Sequence, residues 1–433
     1  MEKFFKLKEN KTSVKTEILA GITTFMTMAY ILAVNPLFLG KAGMDPQGVF
    51  IATALSAAIS TIFMGLYARY PFALAPGMGL NAYFAYVVVL KYNFTWQQAL
   101  ALIFLEGIIF IILSFVKVRE LIFNSIPRDL KNAVSVGIGL FIALIGLNNS
   151  GIVTNGEGTI LTLGKITQNT SLLAIIGIIL TGILVAKNVR GAILIGIVLT
   201  TVIGIPMEVT NVENIKLFQL PTGLSNVAFK LDFPSNIFNG PFFIALFTFL
   251  FVDMFDTVGT LAGVASKTDM LDKDGKLPRV ERALLSDAIG TTIGALLGTS
   301  TVTTYVESSA GVAEGGRTGL TAITTGILFI LAVFFAPLFA IVPASATAPA
   351  LVIVGLFMMS PVKNIEWDDF TVAIPSFLTI IMMPFAFSIA EGIVFGMISY
   401  TILKLGTGKF KDVSPLVLVL SLIFLVRYIF LPL

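Results

Sequence analysis

GPFFIALFTFLFVDMFDTVGTLAGVAS (Gly240–Ser266) is apolar over a full membrane crossing, yet carries Asp253 and Asp256 near its centre. About 25 helical residues reach about 38 Å at ~1.5 Å per residue. An ionised carboxylate at mid-membrane costs at least ~2.5 kcal/mol, so each needs a polar cavity or a partner. At ~100° per residue, Asp253, Asp256 and Thr260 fall on one helix face, with Gly259 and Gly263 beside them. Two carboxylates on one face at that depth point to a substrate or ion path; the alternative is a structural pair capping or bonding buried polar neighbours.

Composition extends this reading to the whole chain. Its 433 residues are 56% hydrophobic and 12% charged, with a mean hydropathy of +0.94. A soluble domain is about one quarter charged, so an all-α polytopic membrane protein is expected, with no large soluble domain. The N-terminus MEKFFKLKENKTSVK lacks the apolar core and cleavage site of a signal peptide. With no cysteine, thiolate metal sites, disulfides and cysteine catalysis are excluded; with no histidine, proton chemistry falls to carboxylates. Lys and Arg gather in alternate loops, as the positive-inside rule requires of a multi-pass protein with a cytoplasmic N-terminus in the cell membrane. The net charge of +3 comes from those loops and does not point to nucleic acid.

About 14 spans are expected, seven before and seven after a polar connection. Residues 1–17 form a cytoplasmic N-terminus and 18–207 the first repeat. Residues 208–240 form a polar extracellular connection, 241–405 the second repeat, and 406–433 a basic segment with a C-terminal apolar stretch. Three segment pairs carry the repeat in order. TTFMTMAY (Thr23–Tyr30) resembles FTFLFVDM (Phe247–Met254), ALSAAISTI (Ala54–Ile62) resembles LLSDAIGTT (Leu284–Thr292), and RGAILIGI (Arg190–Ile197) resembles EGIVFGMI (Glu391–Ile398). Seven spans per repeat is odd, so the second repeat enters the membrane inverted, as in many secondary transporters.

The third span of each repeat is broken. YPFALAPGMGLNAYFAYVVVL (Tyr70–Leu90) places Pro71, Pro76, Gly77 and Gly79 before a short helix, and GTSTVTTYVESSAGVAEGG (Gly298–Gly316) runs from a β-branched stretch into another. Gly/Pro-interrupted short spans at matching positions of two repeats mark a transporter's binding site. Two half-helices starting near the midplane would converge their N-termini on one point. Asn81, Glu307 and Ser308 sit at those starts, facing Asp253, Asp256 and Thr260. An amide, three carboxylates and backbone donors, without Lys or Arg, suit a neutral or weakly basic planar molecule rich in donors and acceptors. A nucleobase fits better than a phosphate or carboxylate. Tyr83 and Tyr305 are either stacking faces or packing residues. Glu106 and Asp287 are expected as helix–helix hydrogen-bond partners, while Glu314 and Glu391 lie near span ends where water is within reach.

APGMGLNAYFAY, LFVDMFDTVGTLAG and TTYVESSAGVAEGGRTG resemble signature segments of the AzgA-like purine permeases, in the nucleobase–ascorbate (nucleobase–cation symporter) superfamily. The resemblance runs from TEILAGITTFMTMAYIL to the last spans. It implies a core and a gate domain, and import of hypoxanthine, guanine or adenine with protons by elevator-like alternating access. It also implies a possible homodimer in the lipid bilayer, and no cofactor beyond the coupling H+. The substrate-binding residues carried over are Asn81, Asp253, Asp256, Thr260, Glu307 and Ser308, and the proton-coupling candidates are Asp256, Asp253 and Glu307. Uracil- and xanthine-type relatives carry Glu where this chain has Asp256, and uracil transporters carry His at the position of Thr260. One of the three acids is expected to be protonated when substrate binds, because like charges in one site cannot all ionise cheaply. The alternatives are a sodium-coupled uracil or xanthine transporter and an anion exchanger of the same inverted-repeat fold. No catalytic residue and no metal site is expected. An intramembrane aspartyl protease needs its aspartates on different helices, and these share one.

Overall fold

The computed structural model describes residues 2–115, 126–156, 159–212, 217–234, 239–265, 270 and 277–430. The first repeat begins with α1 (Val14–Met28) and α2 (Ile31–Lys41), which share one span interrupted at Ala29–Tyr30. It continues through α3 (Pro46–Phe63), the strand β1 (Leu74–Pro76), the half-helix α4 (Met78–Ala82), α5 (Trp96–Phe115), α6 (Arg128–Asn149), α7 (Asn169–Ala186) and α8 (Ala192–Gly204). The second runs through α9 (Gly240–Ala265), α10 (Val280–Leu297), the strand β2 (Val302–Thr304), the half-helix α11 (Ser308–Ala313), α12 (Gly319–Ala332), α13 (Ala344–Met358), α14 (Phe370–Phe385) and α15 (Ile389–Gly406). The C-terminal apolar stretch forms a further helix, α16 (Pro415–Phe430).

Local chemistry sets several starts. Asp45 caps α3 by accepting from the N–H groups of Gln47 and Gly48, with Pro46 at the first helical position. Thr318 caps α12 and Ser388 caps α15 through their hydroxyls. After α4 the chain widens into π-helical turns over Tyr83–Lys91, a departure from α geometry that recurs at functional sites.

The two extended segments meet at the middle of the molecule. β1 and β2 pair antiparallel, with Leu74 opposite Thr304, Ala75 opposite Thr303 and Pro76 opposite Val302. Backbone bonds from Gly77 to Thr301 and from Tyr305 to Ala73 extend the ladder at both ends. Pairing satisfies backbone groups that lipid would leave bare, which lets extended chain persist at that depth.

The repeat relationship reappears in the contacts. Thr61 on α3 donates to the carbonyl of Leu74 at 3.0 Å, and Thr291 on α10 donates to that of Val302 at 2.8 Å. These threonines stand at matching positions of ALSAAISTI and LLSDAIGTT. A Cβ on Gly196 would fall 2.1 Å from Thr181 Oγ1, and one on Gly396 would fall 1.9 Å from Thr379 Oγ1. Each is a helix crossing that only glycine allows, one position from the register read in the third segment pair.

The helices sort by packing into two groups. One joins α1–α5 to α9–α12, with α5 against α10 and α3 against α12. The other joins α6–α8 to α13–α15, with α6 against α13 and α14 against α15. Each group draws elements from both repeats, the division expected of a core and a gate.

Candidate functional site

α9 brings its acidic face against the crossing of β1 and β2. Asp253 and Thr257 are fully buried there, whereas Asp256 and Thr260 keep part of their surface accessible. The Thr257 hydroxyl lies 3.2 Å from Asp253 Oδ1, 2.8 Å from Asp287 Oδ1 on α10 and 2.8 Å from the Thr303 hydroxyl on β2. A hydroxyl carries one proton, so Thr257 serves one carboxylate at a time. Asp253 is thus held inside a network that ties α9, α10 and β2 together. Asp256 is one turn further on, with Oδ2 beside the start of α4: a Cβ on Gly77 would lie 3.7 Å from it. That same Cβ would come within 2.7 Å of Thr303 Cγ2, so glycine is what lets the strands and α9 close up here.

Glu307 opens α11 and also keeps accessible surface. Its carboxylate accepts from the Tyr30 hydroxyl at 2.7 Å, and the Thr27 hydroxyl reaches its carbonyl at 3.4 Å. Ser308 is buried, its oxygen accepting from the Ala73 N–H at 2.9 Å. Asn81 is also buried; its amide donates to Pro76 O at 3.4 Å and its oxygen accepts from the Ser300 hydroxyl. Of the six residues the sequence points to, Asp256, Thr260 and Glu307 therefore retain accessible surface. Asn81, Asp253 and Ser308 brace the chain around them.

Other intramembrane residues fall into place. Asp287 accepts from Thr257, the helix–helix role expected of it, whereas Glu106 accepts at 2.6 Å from Thr301 in the extended segment before β2, so it ties α5 to a strand rather than to a helix. Tyr83 is fully buried edge-on against Phe249, and the Tyr305 hydroxyl donates to Pro76 O, so both rings pack within the protein. Glu314 pairs with Arg190 at 2.6 Å. Glu391 is buried beneath α16 and accepts from Tyr428, where its place near a span end had suggested water.

Thr27 and Tyr30 lie outside the six. Their signal is nonetheless present in TTFMTMAY: Thr23, Thr27 and Tyr30 recur at helical spacing along an otherwise apolar span.

Two inverted repeats, with broken third spans crossing beside partly accessible acidic side chains, define a polytopic membrane transporter. The model of the Xan_ur_permease family, described as a permease family, matches residues 15–395, and the chain belongs to that family. It is 47% identical over 440 residues to the guanine/hypoxanthine permease PbuG of Bacillus subtilis (strain 168), covering 100% of both chains. It is 43% identical over 430 residues to the adenine permease AdeP of Escherichia coli (strain K12), covering 99% of this chain and 96% of that one. Among solved structures, the transmembrane domain of the cyanobacterial bicarbonate transporter BicA superposes with a TM-score of 0.62 at 15% identity. The match covers 88% of this chain and 96% of that domain, a likeness of fold.

Proposed function

We propose that this permease carries a purine nucleobase across the cell membrane, and that Asp256 and Glu307 are its substrate contacts. The observation that carries the reading is the pair of accessible carboxylates, one on α9 and one at the start of α11, flanking the strand crossing. A purine edge presents N–H donors, and carboxylate acceptors answer them with charge-assisted hydrogen bonds. The names of the full-length relatives, guanine/hypoxanthine and adenine permeases, support the same substrate class.

The residues available support coupling to protons. Without histidine, a carboxylate must carry the proton, and Asp256 and Glu307 have the access that Asp253 lacks. Neutralising one acid lowers the desolvated charge that the loaded core carries past the gate. The division into core and gate supports movement of one group against the other as the route of alternating access. The bias of Lys and Arg supports a cytoplasmic N-terminus, with 18–207 and 241–405 as the repeats.

Uptake of labelled hypoxanthine, guanine and adenine, each with and without a protonophore, tests this. Accumulation that collapses with the protonophore is expected. Uptake that ignores the protonophore and requires sodium would move the coupling to a metal ion. No purine uptake, with the protein present in the membrane, would overturn the substrate class.

A further inference from the structure

We infer that Tyr30 is a positioning residue of the transport site, setting the carboxylate of Glu307 for substrate. The inference rests on the reading of Glu307 as a substrate contact. Tyr30 stands at the junction of α1 and α2, where the first span is interrupted. Its ring is buried and its hydroxyl donates to Glu307 Oε1 at 2.7 Å. The carboxyl group of a glutamate turns freely about its last torsion. A donor held by a buried ring stops that rotation, committing one oxygen and leaving the other to meet a substrate N–H.

α1 is fitted to this task along its length. The Thr27 hydroxyl, which donates to the Thr24 carbonyl at 2.8 Å, lies 3.4 Å from the Glu307 carbonyl, so the span lies against the main chain of the residue whose side chain Tyr30 meets. One half-helix turn further on, a Cβ on Gly311 would lie 2.0 Å from Thr24 Oγ1 and 2.6 Å from Ala20 O. α1 and α11 are therefore in contact too close for any side chain at 311, which sets the span leading to Tyr30 against the half-helix that Glu307 opens. A buried tyrosine with no task beyond packing could be phenylalanine; here the hydroxyl has a carboxyl acceptor.

The test compares Tyr30→Phe and Glu307→Gln with the wild-type chain, measuring hypoxanthine and adenine uptake kinetics in cells lacking other purine permeases. Infrared difference spectra of the purified proteins on substrate addition give a second readout. Glu307→Gln is expected to abolish or strongly reduce uptake and to remove one carboxyl band, which assigns it. Tyr30→Phe is expected to raise KM about tenfold or more, as for a lost hydrogen bond to a charged group, with Vmax nearly unchanged. It should also shift the assigned band. An unchanged KM and band in Tyr30→Phe, beside an impaired Glu307→Gln, would overturn the inference and leave the site reading standing. Normal uptake by Glu307→Gln would overturn both. Failure of Tyr30→Phe to reach the membrane, or loss of Vmax alone, would make Tyr30 structural and also overturn the inference.

Discussion

Asp253 and Asp256 sit one turn apart on α9 yet in different surroundings: Asp253 is sealed against Thr257, while Asp256 keeps accessible surface beside Gly77. Their variants should therefore separate. Asp256→Asn is expected to cut purine uptake at least tenfold with normal membrane expression. Asp253→Ala is expected to lower stability by about 1–3 kcal/mol through its buried partners. Uptake kinetics and thermal unfolding in detergent, run on both, read the two effects independently.

Thr257 faces two carboxylates and a second hydroxyl with a single proton to give. Thr257→Val keeps its shape and removes that hub. It is expected to destabilise by about 1–3 kcal/mol by taking one hydrogen-bond donor away from buried carboxylates. Thr257→Ser, which retains the hydroxyl, should recover most of the loss in the same unfolding assay.

Gly77 and Gly311 are held by contact distance. A methyl at either would press on Thr303 or on Thr24 and the Ala20 carbonyl. Gly77→Ala and Gly311→Ala should each cost about 1–3 kcal/mol by overpacking. Gly77→Ala should also raise KM by displacing the strand beside Asp256. Gly406, with open space around its Cβ position, serves as the control: Gly406→Ala should leave expression and uptake unchanged.

Arg190, between α7 and α8, pairs with Glu314 at the end of α11, bridging gate and core. Arg190 is 67% exposed, so water and salt screen the pair to about 0.2–1 kcal/mol. Arg190→Ala is expected to change the uptake rate by less than about fivefold. Raising salt should shrink even that difference.

At the other end of α14's neighbourhood, the Asp369 carboxyl is held below the usual carboxylate range. Its causes are the hydrogen bond from the Thr371 hydroxyl, then that from Lys409, then the Thr371 N–H. A depressed carboxylate stabilises the fold above its unfolded-state value of about 4 and loses that contribution as pH falls toward the folded value. The melting-temperature gap between wild type and Asp369→Asn should therefore be constant from pH 7 to about 4.5 and close only in stronger acid.

Span order, broken third spans and acidic stretch were legible in the chain because membrane burial leaves a plain signal. Twenty apolar residues must cross, and a Pro/Gly cluster must interrupt. The match of ALSAAISTI to LLSDAIGTT was legible too, and Thr61 and Thr291 do equivalent work on the two strands. Periodicity placed Asp253 and Asp256 on one face but could not grade their access, since 3.6 residues per turn says nothing of what covers each position.

The sequence by itself determined the membrane class, the inverted repeat and the stretch that holds the acids, because those follow from hydropathy, length and local breaks. Only the tertiary structure decided which polar groups meet. Tyr30 and Glu307 are 277 positions apart, and their hydrogen bond exists because the helix that leads to Tyr30 packs directly on α11. Long-range packing, unlike helical spacing, leaves no period in the chain to be read.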